Sequence, residues 1–307
     1  MKKLNIFWLF FLSVNIFAQE NTTNLDFRNL QSPVKDQGFR GTCTAFAIAA
    51  AIEILPNSYP DVSEKYIYAS MKTVDFMYKD FFPGAHLKEY VATLPKYGIL
   101  PESLMPYNPT FQYKMNKDDI KLRKVILEAD VGPVDLLVNY VPKVKKTIPS
   151  YAVQSYPLDS IRNPKFVIAL LKKYKSVAVS YHLYMGGWKK NDVSTSKPVG
   201  INNCGYQIKN LSNGRLFPAT AGTRLYGKDF FKKIFQENSD FYFVRTDPVD
   251  EHYGGHAVNI VGVDGDNFII KNSWGKDWGT DGYVYLSFDY HKIFVTDLLT
   301  ISEVRER

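Results

Sequence analysis

Cysteine is scarce in this 307-residue chain, which has only Cys43 and Cys204. That count excludes a disulfide-built scaffold, so a packed core must hold the fold and each cysteine needs its own explanation. Long apolar runs are also lacking. The run from Ile6 to Phe17 is too short to span a bilayer comfortably, and no later segment does better. A block of single-sign charge is missing too. The formal charge is +7, but the lysines are scattered among aspartates and glutamates. A solvated basic surface fits that pattern better than a nucleic-acid groove, so no nucleic-acid partner is expected. No internal repeat is visible.

What is present reads as a globular protein, with 45% hydrophobic and 15% aromatic residues. Lys2 and Lys3 precede the early apolar run, which ends at Ala18 before Gln19 and Glu20. A positive start, a short apolar core and a small residue at the cleavage point predict a secretory signal over residues 1–18. Residues 19–307 would then form the mature, secreted protein, periplasmic or extracellular, with no stable membrane insertion after cleavage. An uncleaved anchor is the competing reading. Oligomeric state is not legible.

Along the chain, Leu25 to Arg40 reads as an extended entry with turns. The Ala-rich stretch Cys43 to Leu55 predicts a buried central helix that stops before Pro56. Ser63–Tyr78, Leu87–Tyr97 (closed by Gly98) and Pro164–Tyr174 have helical spacing. Strands are expected at Tyr151–Tyr156, Ser176–Tyr181, Ala257–Val263, Phe268–Lys271 and Gly282–Phe288, with a turn at Asp264–Asn267. Residues 115–144 and 186–250 read as insertions, the first an elaborated loop and the second irregular but too long to lack structure or function. Helices first and strands later predict an α+β protein with two unlike lobes.

Cys43 would open its helix, where the positive end of the helix dipole stabilises a thiolate and the first N–H groups can meet a developing oxyanion. A buried structural cysteine is the alternative. Of the five histidines, His86, His182, His252 and His291 have no distinctive surroundings. His252 and His256 stand four apart, but Gly254-Gly255 breaks any helix between them and no third ligand follows, so no metal or other cofactor is expected. His256 differs because it opens the hairpin that turns at Asp264-Gly265. In a simple ladder it faces Asn272, whose side-chain oxygen could accept the imidazole Nδ1–H and leave Nε2 towards a thiol. Trp274 and Trp278 follow and could shield that bond.

The segment from Gln31 to Ile54, Q-S-P-V-K-D-Q-G-F-R-G-T-C-T-A-F-A-I-A-A-A-I-E-I, closely resembles the active-site segment of papain-family cysteine peptidases. H-A-V-N-I-V-G-V at 256–263 and K-N-S-W-G-K-D-W-G-T-D-G-Y at 271–283 resemble the family's histidine and asparagine segments. Weaker likeness runs through V-S-E-K at 62–65, Gly84 and Y-G-I-L-P-E-S-L-M-P-Y at 97–107. The resemblance implies a papain-like two-lobe fold: a helical lobe with the nucleophile helix, an antiparallel barrel-like β lobe, and an active-site cleft between them. It implies Cys43 as nucleophile, His256 as base, Asn272 as the orienting amide and Gln37 as an oxyanion donor. Trp274 would be the shielding indole, placed with Gly84 on the substrate side of the site. Peptides or proteins would be the substrates.

The family usually has Cys where Arg40 stands and Trp where Thr44 stands, so the nucleophile loop must be held in another way. Cys43 and His256 lie farther apart than the about 130–150 residues of the family signature, and the two insertions account for the excess. The family's long inhibitory pro-segment is not expected after Gln19. Cys204 reads as a plain thiol, with a regulatory disulfide to Cys43 as the alternative. The 186–250 insertion is expected to border the cleft. Two rival functions share the constellation: a catalytically silent papain-fold binding protein, and a cysteine amidase or transpeptidase acting on cell-wall peptides.

Overall fold

The computed structural model describes residues 24–75, 84–111, 130–144, 150–184, 188, 199, 206–217, 225–226, 230–234, 236, 239–245 and 253–304. The expected signal segment and Cys204 lie outside these residues. Helix α1 (Cys43–Glu53) is buried on every side from Cys43 to Ile52. Alanine explains both its helicity and its position, because small side chains let neighbours close on all faces. Complete burial of Ile48 and Ile52 contributes about 1.5–3 kcal/mol each. The helix ends before Pro56, which disfavours a helical residue ahead of it.

Helix α2 (Glu64–Ala69) starts at Ser63, whose Oγ accepts the Tyr66 N–H at 3.0 Å. It continues as a π-helical stretch, Ser70–Asp75, and the last residues of the expected helix lie outside the described ones. Helix α3 (Tyr90–Tyr97) follows a 3-10 turn and stops at Gly98. These helices form one apolar cluster with α1, to which Leu299 and Ile301 also belong.

The main sheet contains β1 (Leu25–Asp26), β2 (Ser150–Ser155), β3 (Val177–Tyr184), β7 (Tyr253–Asp264), β8 (Asn267–Lys271), β9 (Tyr283–Ser287) and β10 (Val295–Val304). A smaller sheet holds β4 (Tyr206–Asn210), β5 (Leu216–Phe217) and β6 (Phe241–Arg245). The main order is β2-β10-β3-β7-β8-β9, antiparallel throughout, with β1 added on β7. Among the described residues this sheet stays open, with β2 and β9 at its edges, so the expected barrel-like lobe is an open sheet and not a closed barrel. Helix α4 (Pro164–Tyr174) packs on the sheet, opened by Asn163 and by proline at its first position.

Helix α6 (Phe288–Phe294) and β10 have no counterpart among the elements expected from sequence, although β10 is a central strand. Residues Leu298 to Ile301 are buried in succession, which removes the alternation that marks a half-exposed strand. The described part of the first insertion consists of helical turns (Pro133–Asp135, Leu136–Tyr140, Val141–Lys143) and not of a loop. Three turns of different winding share no 3.6-residue period, which is why the pattern hid them. The second insertion carries β4, β5, β6 and helix α5 (Phe230–Ile234) around an aromatic cluster. There Tyr226 and Phe230 meet Phe241 with ring centroids 4.8 and 5.1 Å apart.

Polar contacts tie the entry segment to both halves. Lys35 Nζ lies 2.8 Å from Glu53, 2.7 Å from Glu64 and 2.6 Å from Asp61. Burial opposes its charge, but the surrounding carboxylates outweigh that and hold its pKa above the ordinary lysine value. Lys271 Nζ, at the end of β8, donates to Ser32 O at 2.7 Å. Asn259 of β7 donates to Ala47 O of α1 at 2.9 Å.

Candidate active site

The loop before α1 is held by Tyr107 and Arg40. Tyr107 OH donates to Gln37 O at 2.8 Å, which leaves its oxygen to accept from Thr42 Oγ1 at 2.6 Å. Arg40 is buried where the family usually has cysteine. Its Nη1 donates to Asn108 O at 2.7 Å, and its guanidinium lies 4.3 Å from the Tyr107 ring centre and 5.1 Å from that of Phe111. The arginine and Tyr107 therefore anchor this loop without a disulfide. Thr44, in place of the family's tryptophan, bonds Tyr90 OH at 3.0 Å. Gly38 turns the loop with φ +63°, and a Cβ there would sit 2.2 Å from Pro109 O.

Gln37 is buried within this loop. Its Nε2 donates to Arg40 O at 2.7 Å and its Oε1 accepts from Ser273 Oγ at 2.6 Å. The Gln37 N–H also donates to Ser273 O at 2.9 Å. One side-chain N–H is thus spent on holding the amide, and the second remains to act as a donor. Cys43 sits at the first position of α1, 8% exposed.

Strand β7 carries His256 and the residue after β8 is Asn272, but the two do not face each other as in a simple ladder. The register runs Asn259↔Lys271 and Ile260↔Ile270, then shifts by a bulge before Gly262↔Ile269. Asn272 lies past the last pair and reaches His256 diagonally, as neighbours on one sheet face can. The bond also uses the other nitrogen from the one expected. His256 Nε2 is 2.7 Å from Asn272 Oδ1. The Ser273 N–H donates to the same atom at 2.8 Å, which identifies it as the oxygen and makes Nε2 the proton carrier. In the neutral ring Nδ1 then holds the lone pair. Burial pushes the His256 pKa down to about 4, against the smaller upward pull of Asn272.

Three indoles cover the pair. Trp274 stacks on the imidazole with centroids 4.4 Å apart and planes at 24°. It therefore sits beside His256 and not among the residues that wall the cleft. Trp278 packs edge-on against Trp274 at 5.4 Å. Trp188 meets His256 edge-on at 5.9 Å, and its Nε1 donates to Tyr290 OH at 2.9 Å. Trp188 comes from the second insertion, inside a stretch whose irregular pattern gave no sign of it. Among the described residues this insertion packs behind the imidazole, and none of it walls the cleft.

Cys43 and His256 line one cleft of about 960 Å³. Gly84, with φ +92°, lies on its wall, where a Cβ would meet nothing within 4 Å. The structure thus gathers Cys43, His256 and Gly84 on the cleft and sets Asn272, Trp274 and Gln37 behind or beside them. His182 also lines the cleft. His291 is buried, donating from Nε2 to Ile161 O at 2.6 Å and accepting at Nδ1 from Tyr181 OH at 2.8 Å.

Residues 232–297 match the family model described as papain family cysteine protease. Cathepsin B-like CP2 of Giardia intestinalis is 48% identical over 58 residues, 16% of this chain and 19% of that protein. Cathepsin Q of Rattus norvegicus is 34% identical over 80 residues, 24% of this chain and 21% of that one. The matches thus span only about a fifth of these relatives. Among solved structures, xylellain, a cysteine protease from Xylella fastidiosa, superimposes with a TM-score of 0.56 at 21% identity, covering 92% of this chain and 86% of that one. That likeness extends the papain-like fold over nearly the whole chain, and the segment matched by the family model holds both His256 and Asn272.

Proposed function

We propose that this chain is a cysteine peptidase that hydrolyses peptide bonds through a covalent acyl-enzyme. The observation that carries the reading is the direction of the His256–Asn272 bond. With Nε2–H committed to Asn272 at 2.7 Å, Nδ1 is the basic nitrogen of an imidazole that shares a cleft with Cys43. The low pKa keeps that nitrogen unprotonated at neutral pH.

In this mechanism Nδ1 takes the Cys43 thiol proton while Sγ bonds to the substrate carbonyl carbon. The carbonyl oxygen gains charge and is met by the start of α1 and the second N–H of Gln37. Collapse breaks the C–N bond, the leaving amine takes the proton from Nδ1, and a thioester remains. Water then loses a proton to Nδ1 as it attacks the thioester. The C–S bond breaks, the acid leaves and the thiol is restored. Asn272 holds the ring through both halves, and the indoles keep water from its hydrogen bond. The basic and then apolar amino terminus supports export, with maturation near Gln19.

The test is to incubate the purified wild type and Cys43→Ala with a peptide library and to read new termini by mass spectrometry. Cleavage by the wild type alone is expected. Equal cleavage by both forms, or none by either, contradicts the proposal. Amino-terminal sequencing of the exported protein checks the start near Gln19.

A further inference from the structure

The cleft beside Cys43 and His256 has a charge pattern of its own. Gly254 and Gly255, just before His256, form one wall, and a Cβ at either position would meet nothing within 4 Å. That wall leaves room for a substrate side chain. Leu158 and Val295 offer apolar surface along the same space. At its rim stand Arg162, which follows the helical turn Leu158–Ile161, and Lys88 from the turn before α3.

We propose, resting on the peptidase reading above, that this cleft accepts an acidic substrate side chain next to the scissile bond, with Arg162 as the main specificity-determining residue and Lys88 assisting it. The walls carry two fixed positive charges against one negative, Glu89. Glu89 is already engaged, since its Oε2 accepts the His86 N–H at 2.9 Å. Asp297 lies nearby, and its two oxygens accept the Lys88 N–H at 2.7 Å and the Leu298 N–H at 2.9 Å.

Arg162 is half-buried, and that burial pushes its pKa down to about 10 although Asp159 pulls the other way. A half-buried guanidinium gains more from an arriving carboxylate than one in open water. Its planar fork also suits two parallel bonds to that group. His182 has its pKa lowered by burial, so at neutral pH it adds polarity to the wall without charge. A glutamate fits this arrangement, with its methylenes along Leu158 and Val295 and its carboxylate at Arg162.

The test uses fluorogenic peptides that carry Glu, Gln, Leu or Lys at each position flanking the scissile bond. At one position the wild type should prefer Glu to its isostere Gln by on the order of tenfold in kcat/KM, the size of a charge-assisted hydrogen bond. Arg162→Gln should bring the Glu and Gln rates together. Lys88→Gln, at an exposed side chain, should narrow the gap by a few-fold. If the wild type cleaves peptides but treats Gln as well as Glu at every position, this proposal fails and the peptidase reading stands. If it cleaves no peptide at all, both fail. The wild-type comparison and Lys88→Gln decide the matter even if Arg162→Gln does not fold.

Discussion

Asn272→Ala removes the side-chain amide and with it an oxygen that serves two donors, and the structure allows the effect of losing that oxygen to be divided. That oxygen accepts the His256 Nε2–H at 2.7 Å and the Ser273 N–H at 2.8 Å, all in a buried setting. The Ser273 amide loses its acceptor in the free enzyme and in the transition state alike, so its share falls on stability, about 1–3 kcal/mol. The imidazole behaves differently, because in the proposed mechanism it becomes positively charged. A hydrogen bond to a charged group contributes about 1.5–3 kcal/mol, which corresponds to a loss of about 10- to 150-fold in kcat/KM. The loss should appear in kcat more than in KM, since Asn272 lies behind the ring and away from the cleft. Asn272→Asp keeps an acceptor and should recover part of the activity. Its charge would raise the histidine pKa and move the acid limb of the profile to higher pH. Fluorogenic peptide hydrolysis across pH, with thermal unfolding to verify folding, measures all of this. A folded Asn272→Ala protein with kcat/KM within twofold of wild type would refute the reasoning.

Tyr107→Phe deletes the hydroxyl that joins Gln37 to Thr42. It should cost about 1 kcal/mol of stability in denaturant titration and lower kcat several-fold by loosening the Gln37 loop. Lys35→Met leaves Glu53 and Glu64 buried without their cation and should destabilise the protein by about 3–5 kcal/mol, read as a lower denaturant midpoint. His256 and His291 are both pushed by burial from 6.5 to about 4. Between those values the unfolded chain binds more protons than the folded one. Stability should therefore be full above about pH 6.5 and fall as pH drops towards 4, by about 3 kcal/mol for each histidine. His291→Gln, which can keep both of that ring's hydrogen bonds, should flatten the slope of unfolding free energy against pH.

Much of the site could be read from sequence because its parts are local. The start of α1, the Asp264-Gly265 turn and the segment from Lys271 to Tyr283 each announce themselves through turn residues, alanine or glycine within a short span. The sense of the His256–Asn272 bond was not legible, because the turn pairs Asp264 with Asn267 and so carries His256 past Asn272 in the ladder, and which ring nitrogen meets the amide depends on a side-chain orientation that spacing does not carry. Tyr107 and Trp188 were missed for another reason. Each acts on residues about 65 or more positions away in sequence, so only packing brings them to the site. Strand β10 escaped because burial on both faces removes its alternation. The departures at Arg40 and Thr44 were visible as changes of residue, but their replacement partners, Tyr107 and Tyr90, were not.

The central claim is that His256 makes Cys43, and not merely any thiol of this chain, reactive towards a peptide carbonyl. A peptidyl epoxide incubated with the folded protein, with its adduct located by peptide mass mapping, tests that claim directly. The account predicts one adduct per chain at Cys43, formed far faster than any at Cys204, with the rate collapsing in His256→Ala. Equal modification of Cys43 and Cys204, or a rate at Cys43 unchanged by His256→Ala, would contradict it.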